Sequence, residues 1–86
     1  MKQIEIIPLA LKKINQREIP LEWIHETLKL PEQTIESYLE RKIYHKKYKV
    51  KDKDMLLRVV VEEESSKLIV ITAYLTSRFE RYGGDV

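Results

Sequence analysis

Two runs of apolar and β-branched residues, MLLRVVVEEE at 55–64 and KLIVITAYLT at 67–76, constrain the fold of this chain more than any other feature. β-Branched side chains are typical of strands, and the short polar segment between the runs is typical of a hairpin turn. The segment at 33–50 also reads as extended chain with a break near Glu40, and KDKD at 51–54 reads as a polar turn. The sequence therefore predicts an antiparallel meander from residue 33 onward.

The N-terminal part is predicted to contain two helices. Pro8 and Pro20 each suit the first turn of a helix, where the missing N–H costs little, and Pro31 follows the second helix. Apolar residues recur at helical spacing in both segments, which gives each helix one side to bury. They are Ile7, Leu11 and Ile14 in the first helix, and Leu21, Ile24 and Leu28 in the second. Ahead of both helices, Ile4 and Ile6 alternate with polar residues and indicate a short edge strand.

This order predicts one α+β domain over residues 1–86, with two N-terminal helices packed on one face of a three- to four-stranded antiparallel sheet. Residues 82–86 are predicted to be a flexible tail. The chain has no cysteine, which excludes disulfides and thiolate sites. No apolar run approaches the roughly 18 residues of a membrane span, so a cytoplasmic protein without membrane contact is expected. A chain of 86 residues has limited capacity for burial, and a homodimer would add to it.

Alternation along each strand sorts the side chains onto two faces of the sheet. The fully apolar sets are predicted to face the helices. These sets are Met55, Leu57, Val59 and Val61 on one strand, and Ile69, Ile71, Ala73 and Leu75 on the next. The opposite face, which we call the far face, then carries Arg58, Thr72, Tyr74 and Thr76.

Positive charge is concentrated between Arg41 and Arg58. That segment has eight lysines and arginines against two aspartates, although the net charge of the whole chain is only +2. Tyr44 and Tyr48 alternate with these cations and are predicted to pack toward the helices. The far face then also receives His45, Lys47 and Lys49. Cations combined with aromatic groups on one surface suit the backbone and bases of a nucleic acid.

The order of these segments resembles that of the RelE/ParE-like toxin superfamily, and in particular its small BrnT-like branch. The segments that carry the resemblance are LALKKINQREIPLEWIHETLKLPEQTIE, KIYHKKY, LLRVVVEEE and LIVITAYLTSRFERY. The matching positions are Arg17, Ile19, Pro31, Tyr44, Lys46 or Lys47, Leu57 to Val60, Thr72 to Tyr74, and Glu80 to Tyr82. Two positions depart from the pattern: Leu9 stands where many relatives have histidine, and Glu18 where they tend to have glycine.

The resemblance implies a type II toxin that an antitoxin protein holds inactive. Such a toxin cleaves mRNA, in some cases on the ribosome, or blocks another essential target. Because Leu9 replaces the histidine of many relatives, chemistry that depends on that histidine is not expected here. No cofactor and no metal are expected, since the run Glu62 to Glu64 points to alternating faces and cannot converge on one ion.

Metal-independent RNA cleavage requires a base for the 2′-hydroxyl, cations for the phosphate and a proton donor for the departing 5′-oxygen. Lys47 is predicted to be the base, and Arg58 and Arg81 are predicted to hold the phosphate. The predicted acid or stacking groups are His45, Tyr74 and Tyr82. Further contacts with nucleic acid are expected from Lys46, Lys49 and Arg78, and contacts with a partner protein from Trp23 and Leu30.

These residues also have structural interpretations. Strand lysines commonly protect a sheet edge from aggregation. Arg58 could pair with Glu62 or another acid, and Trp23 could be covered by the first helix or the tail. The glutamates at 62–64 are predicted to be a solvated strand end. A toxin that binds a protein target and a non-catalytic interaction module are therefore the alternative functions.

Overall fold

The computed structural model describes residues 2–37 and 40–79 of the chain. Its elements in chain order are β1 (Gln3–Ile6), α1 (Pro8–Gln16), α2 (Leu21–Lys29), β2 (Gln33–Glu36), β3 (Arg41–Val50), β4 (Lys53–Glu63) and β5 (Lys67–Thr76). The predicted α+β class is confirmed. Pro8 begins α1, as predicted, and Pro20 is the residue directly before α2.

The five strands form one mixed sheet in the order β1-β5-β4-β3-β2. Strands β2 to β5 pair antiparallel with their neighbours, as the meander predicted, whereas β1 pairs parallel with β5. The expected sheet of three to four antiparallel strands is therefore corrected to five strands with one parallel edge. The chain leaves β1 directly into α1, so no hairpin dictates an antiparallel partner for β1.

Both helices pack on one face of the sheet, which we call the helix face, around a single apolar cluster. Ile14, Ile24 and Leu28 are buried there, as predicted. Leu11 and Leu21 were expected in the same stripes, but they are 36% and 41% exposed. Their places are taken by the small or polar residues Ala10 and Thr27, both fully buried. Because the small side chain of Ala10 allows close approach, α1 turns this side toward the sheet.

An irregularity in β5 changes which of its side chains face the helices. Neighbouring residues of β4 pair with Val70 and Thr72, which leaves Ile71 as an extra residue. One extra residue reverses the alternation of a strand. The residues of β5 in the apolar cluster are Leu68 and Val70 before the bulge, and Ala73 and Leu75 after it. The prediction is thus confirmed for Ala73 and Leu75 and wrong for Ile69 and Ile71.

Lys51 and Asp52 form a two-residue turn between β3 and β4. Their φ angles are 51° and 66°, and Val50 pairs with Lys53 across the turn. Positive φ at both positions defines a type I′ turn, whose twist matches that of the adjoining strands. The turn fixes the register of the hairpin, which places His45 opposite Arg58.

Helix α1 ends in a Schellman motif with a glutamate where glycine is usual. The Ile19 N–H donates to the Ile14 carbonyl oxygen at 3.1 Å, and the Glu18 N–H donates to that of Asn15 at 3.1 Å. Glu18 has a φ of 56°, in the left-handed region that disfavours side chains with a Cβ. Arg17 then donates from Nη1 to the Ala73 carbonyl oxygen at 2.8 Å, which ties this helix end to β5.

Replacing Glu18 by glycine is expected to raise the free energy of unfolding by roughly 0.5–1 kcal/mol, because glycine relieves the left-handed strain. Urea unfolding monitored by circular dichroism measures the change. Gln16→Gly is the matched control, since Gln16 is exposed in the last turn of α1 and its replacement should cost about 0.5–1 kcal/mol. A loss of stability in both variants would contradict this interpretation of Glu18.

Candidate active site

Four polar side chains occupy directly paired positions on four neighbouring strands. Gln33 pairs with His45, and His45 pairs with Arg58. Arg58 in turn pairs with Tyr74. Paired residues project from the same face of a sheet. Arg58 alternates with Leu57 and Val59 of the helix face, so all four side chains lie on the far face. We call Gln33, His45, Arg58 and Tyr74 the polar row.

Arg58 connects the members of the polar row. Its Nε donates to His45 Nε2 at 3.0 Å, and its Nη1 donates to the Tyr74 hydroxyl oxygen at 2.6 Å. The guanidinium carbon also lies 5.5 Å from the centroid of the Tyr74 ring, within the range of a cation–π contact. Glu62 was considered above as a partner for Arg58. Its Oε1 lies instead 3.6 Å from Nη2 of Arg41. The geometry therefore joins Arg58 and Tyr74, as the sequence predicted.

His45 is fully buried and supports Arg58. Arginine only donates hydrogen bonds, so the Nε2 atom that accepts from Arg58 carries no proton. Burial, followed by the positive charge of Arg58, lowers the pKa of His45 from 6.5 to about 4, and the ring is neutral at pH 7. A neutral ring whose acceptor nitrogen is already occupied is not the proton donor that the sequence suggested.

The centre of the far face is covered rather than open to water. His45 and Leu56 are fully buried, and Arg58 is 8% exposed. Gln33 and Tyr74, at the two ends of the polar row, are partly exposed. Within the described part of the chain, the row is therefore exposed to solvent at its two ends, Gln33 and Tyr74.

Lys47 lies on the far face two positions beyond His45, about 7 Å along the strand at the usual rise per residue. It is exposed, and its Nζ lies 5.9 Å from the centroid of the Phe79 ring. Lys49, two positions further, is exposed and forms an ion pair with Asp54 at 3.6 Å. Arg78 is exposed just past the end of β5. Lys47 and Arg78 thus add positive charge on the same side of the polar row, toward the β3–β4 turn.

Lys46 and the residues predicted to meet a partner protein lie elsewhere. Lys46 points to the other side of β3, where its Nζ donates to the Leu30 carbonyl oxygen at 2.9 Å, at the end of α2. Trp23 stacks on Tyr48 with 4.3 Å between ring centroids, so Tyr48 of β3 covers one face of its ring. Leu30 itself is 71% exposed and is the part of this pair that is available for contact.

At the start of β3, the positively charged side chains lie next to glutamates at the end of β4. Arg41 and Lys42 lie opposite Glu62 and Val61 of β4, and Lys42 Nζ reaches Glu63 at 2.7 Å. Hydrogen bonds from Lys2 and Lys42 lower the pKa of Glu63 to about 2. The glutamates are therefore not a simple solvated strand end. A cavity of about 380 Å³ lies here, lined by Glu36, Ser37, Glu40, Arg41, Lys42 and Glu63.

Two predicted site residues, Arg81 and Tyr82, and the predicted tail lie outside the described residues. Within residues 2–37 and 40–79, no group of three histidine or acidic side chains could hold a metal ion. Neither helix of the described chain is both long enough and apolar enough to cross a membrane.

Gln33 is a member of the polar row that sequence reasoning missed. Its Oε1 lies 3.3 Å from His45 Nδ1. The alternating pattern after Pro31 predicted an extended segment, but not the strand it pairs with. Only the register of β2 against β3 brings Gln33 next to His45.

The polar row offers a cation fixed beside a phenolic hydroxyl. Such a cation stabilises negative charge that develops nearby, and it needs little reorganisation because His45 already holds it. The hydroxyl of Tyr74 can donate or accept a proton. This arrangement suits reactions in which an anion, such as a phosphate group, gains charge in the transition state.

Comparison with known proteins gives a family and no characterised relative. No curated protein and no solved structure matches the chain. Residues 10–75 match a protein family described as a domain of unknown function, DUF4258. The matched segment begins in α1, ends in β5 and includes every member of the polar row. Since it spans well over half of the 86 residues, the chain belongs to the DUF4258 family.

Proposed function

We propose that this protein is the toxin of a type II toxin–antitoxin pair, with a RelE/ParE-like fold, and that it cleaves RNA without a metal ion. The observation that carries the proposal is the contact of 2.6 Å between Arg58 and the hydroxyl of Tyr74 at an end of the polar row. The antitoxin partner would use an apolar contact, for which Leu30 is exposed.

In the proposed reaction, the 2′-hydroxyl of RNA loses its proton and its oxygen attacks the neighbouring phosphorus. The bond from phosphorus to the 5′-oxygen breaks, which leaves a 2′,3′-cyclic phosphate, and the 5′-oxygen takes up a proton. Arg58 stabilises the added charge on the phosphate oxygens. Tyr74 supplies a proton to the 5′-oxygen, and Lys47 Nζ, acting in its amine form, takes the proton of the 2′-hydroxyl. His45 takes no proton in this scheme and holds Arg58.

The position of the exposed cations supports an RNA substrate. Among the described residues, Lys47 and Arg78 lie at the end of the sheet near the β3–β4 turn, whereas Arg41 and Lys42, at the opposite end of β3, are engaged by glutamates. A phosphate backbone is attracted to the end whose cations are less neutralised.

Inducible expression with mapping of transcript ends tests the function. Growth is expected to stop after induction, and primer extension should show new transcript ends within minutes. Cleavage of RNA by the purified protein should persist in EDTA. Growth arrest with intact transcripts would point instead to a protein target. Loss of cleavage in EDTA would contradict the metal-independent mechanism.

The burial of His45 and Arg58 favours a second candidate, a non-catalytic interaction module. A fully buried histidine that braces a largely buried arginine also suits a purely structural network. This candidate predicts normal growth after induction and intact RNA. The expression experiment therefore separates the two candidates directly.

A further inference from the structure

We propose that Gln33 is a positioning residue for Arg58: its side-chain oxygen fixes the tautomer of His45 and so aims the guanidinium at Tyr74. The consequence for activity rests on the proposed function, whereas the consequence for His45 does not. Gln33 touches neither Tyr74 nor the place where a phosphate would sit in that scheme. It acts through the ring of His45.

The protons of the polar row can be arranged in only one way. Arg58 Nε must donate, so His45 Nε2 must be the acceptor in their contact of 3.0 Å. A neutral imidazole has one donor and one acceptor, which places its proton on Nδ1. That N–H points at Gln33 Oε1, 3.3 Å away. An amide turned the other way would place its NH₂ group against this N–H, so the oxygen has to face the ring.

Burial makes the amide oxygen difficult to replace. The ring of His45 is fully buried, so water does not readily take the place of the amide. Without an acceptor at Nδ1, the buried ring loses the hydrogen bond that supports its Nδ1 proton, which narrows the free-energy gap to the tautomer with its proton on Nε2. That tautomer would set an N–H against the N–H of Arg58 and push the guanidinium away from its present direction.

The absence of charge at position 33 also matters. A carboxylate facing Nδ1 would favour a doubly protonated, positively charged ring. Such a ring has no acceptor left for Arg58 and repels it. Among the described residues, Arg58 donates to the ring, Lys47 lies two positions along the same face, and Tyr74 lies beyond Arg58. A neutral amide at position 33 therefore preserves the hydrogen bonds of the polar row, whereas a carboxylate of the same shape would disrupt them.

The test compares Gln33→Glu and Gln33→Leu with wild type and with Gln3→Leu. Gln3 is the matched control because it also begins an edge strand, is exposed and pairs with Lys67, away from the polar row. Ring ¹⁵N shifts of His45 report its tautomer and its titration. Wild type and Gln3→Leu are expected to show a protonated Nδ1 at pH 7. Gln33→Glu should raise the pH at which His45 titrates, and Gln33→Leu should weaken the preference for the Nδ1 tautomer.

RNA cleavage by the same proteins is the second measurement. Both Gln33 variants are expected to cleave about tenfold more slowly than wild type, the effect of one hydrogen bond. Gln33→Glu should recover as the pH rises above its new His45 titration, a response that loss of folding would not give. Amide spectra of each variant verify the fold.

The outcomes separate this inference from the proposed function. A proton on Nε2 in wild type, or an unchanged His45 titration in folded Gln33→Glu, would overturn the role of Gln33. Altered tautomer and titration without any RNA cleavage in wild type would leave that role intact and reject the nuclease.

Discussion

Replacement of Arg58 by alanine is expected to slow RNA cleavage by about 10²–10³-fold and to relieve the growth arrest caused by the wild-type protein. In the proposed scheme Arg58 meets the phosphate as its charge increases, so its removal raises the barrier of the chemical step rather than weakening binding alone. Single-turnover cleavage of a defined RNA measures the effect. Primer extension after induction gives the corresponding result in cells.

Removal of a largely buried arginine also affects stability. Two further variants therefore distinguish a loss of catalysis from a loss of folding. Arg58→Lys retains the charge but cannot donate to His45 and Tyr74 from two fixed directions, so it should remain slow. Lys12→Ala removes an exposed cation on α1, away from the polar row, and should leave the cleavage rate at that of wild type. If Arg58→Ala is folded by circular dichroism and still cleaves RNA at the wild-type rate, Arg58 is not part of the site.

Acidification from pH 6.5 to pH 4 is expected to remove about 3 kcal/mol of stability through His45 alone. The pKa of this group is 6.5 unperturbed and about 4 in the fold, and one pKa unit corresponds to about 1.4 kcal/mol. The unfolded chain binds the proton first as the pH falls, so the unfolded state is favoured. The contribution is complete above pH 6.5 and is lost progressively until pH 4.

Urea unfolding at closely spaced pH values measures this loss. His45→Gln removes the titrating group and should flatten the curve between pH 6.5 and 4. His25→Gln, a change of the other histidine of the chain, should leave the loss in place. Glu63 contributes in a different range, because its pKa is lowered from 4.5 to about 2 and its stabilising effect fades only below pH 4.5. An equal acid response in wild type and His45→Gln would refute the assignment to His45.

The elements with strong local signals were predicted from the sequence. Prolines mark the starts of both helices, and β-branched runs mark β4 and β5. The alternation of Tyr44 and Tyr48 correctly placed both tyrosines against the apolar cluster. For that reason His45, Arg58 and Tyr74 were predicted to share the far face, which the structure bears out. These features depend on neighbours in sequence, where periodicity carries the information.

Features that depend on distant partners could not be predicted. The bulge at Ile71 has no signature in a run of β-branched residues, yet it reverses the faces of half a strand. The parallel direction of β1 and the register of β2 each follow from pairing across the sheet. Gln33 was missed for this second reason. The burial of Arg58 could not be predicted either, because alternation indicates the face on which a side chain lies and not what packs over it.

The parallel edge formed by β1 determines the order in which this sheet can be assembled. Strands β3, β4 and β5 are joined by short turns, so their contacts close small loops at little entropic cost. The partner of β1 lies near the opposite end of the chain, and the strand contributes four residues to the ladder. Contacts of such high sequence separation follow a nucleus of local hairpins rather than precede it. The residues of β1, although synthesised before the hairpins, are therefore among the last to find their place, and the edge of β5 keeps unpaired backbone groups until they do.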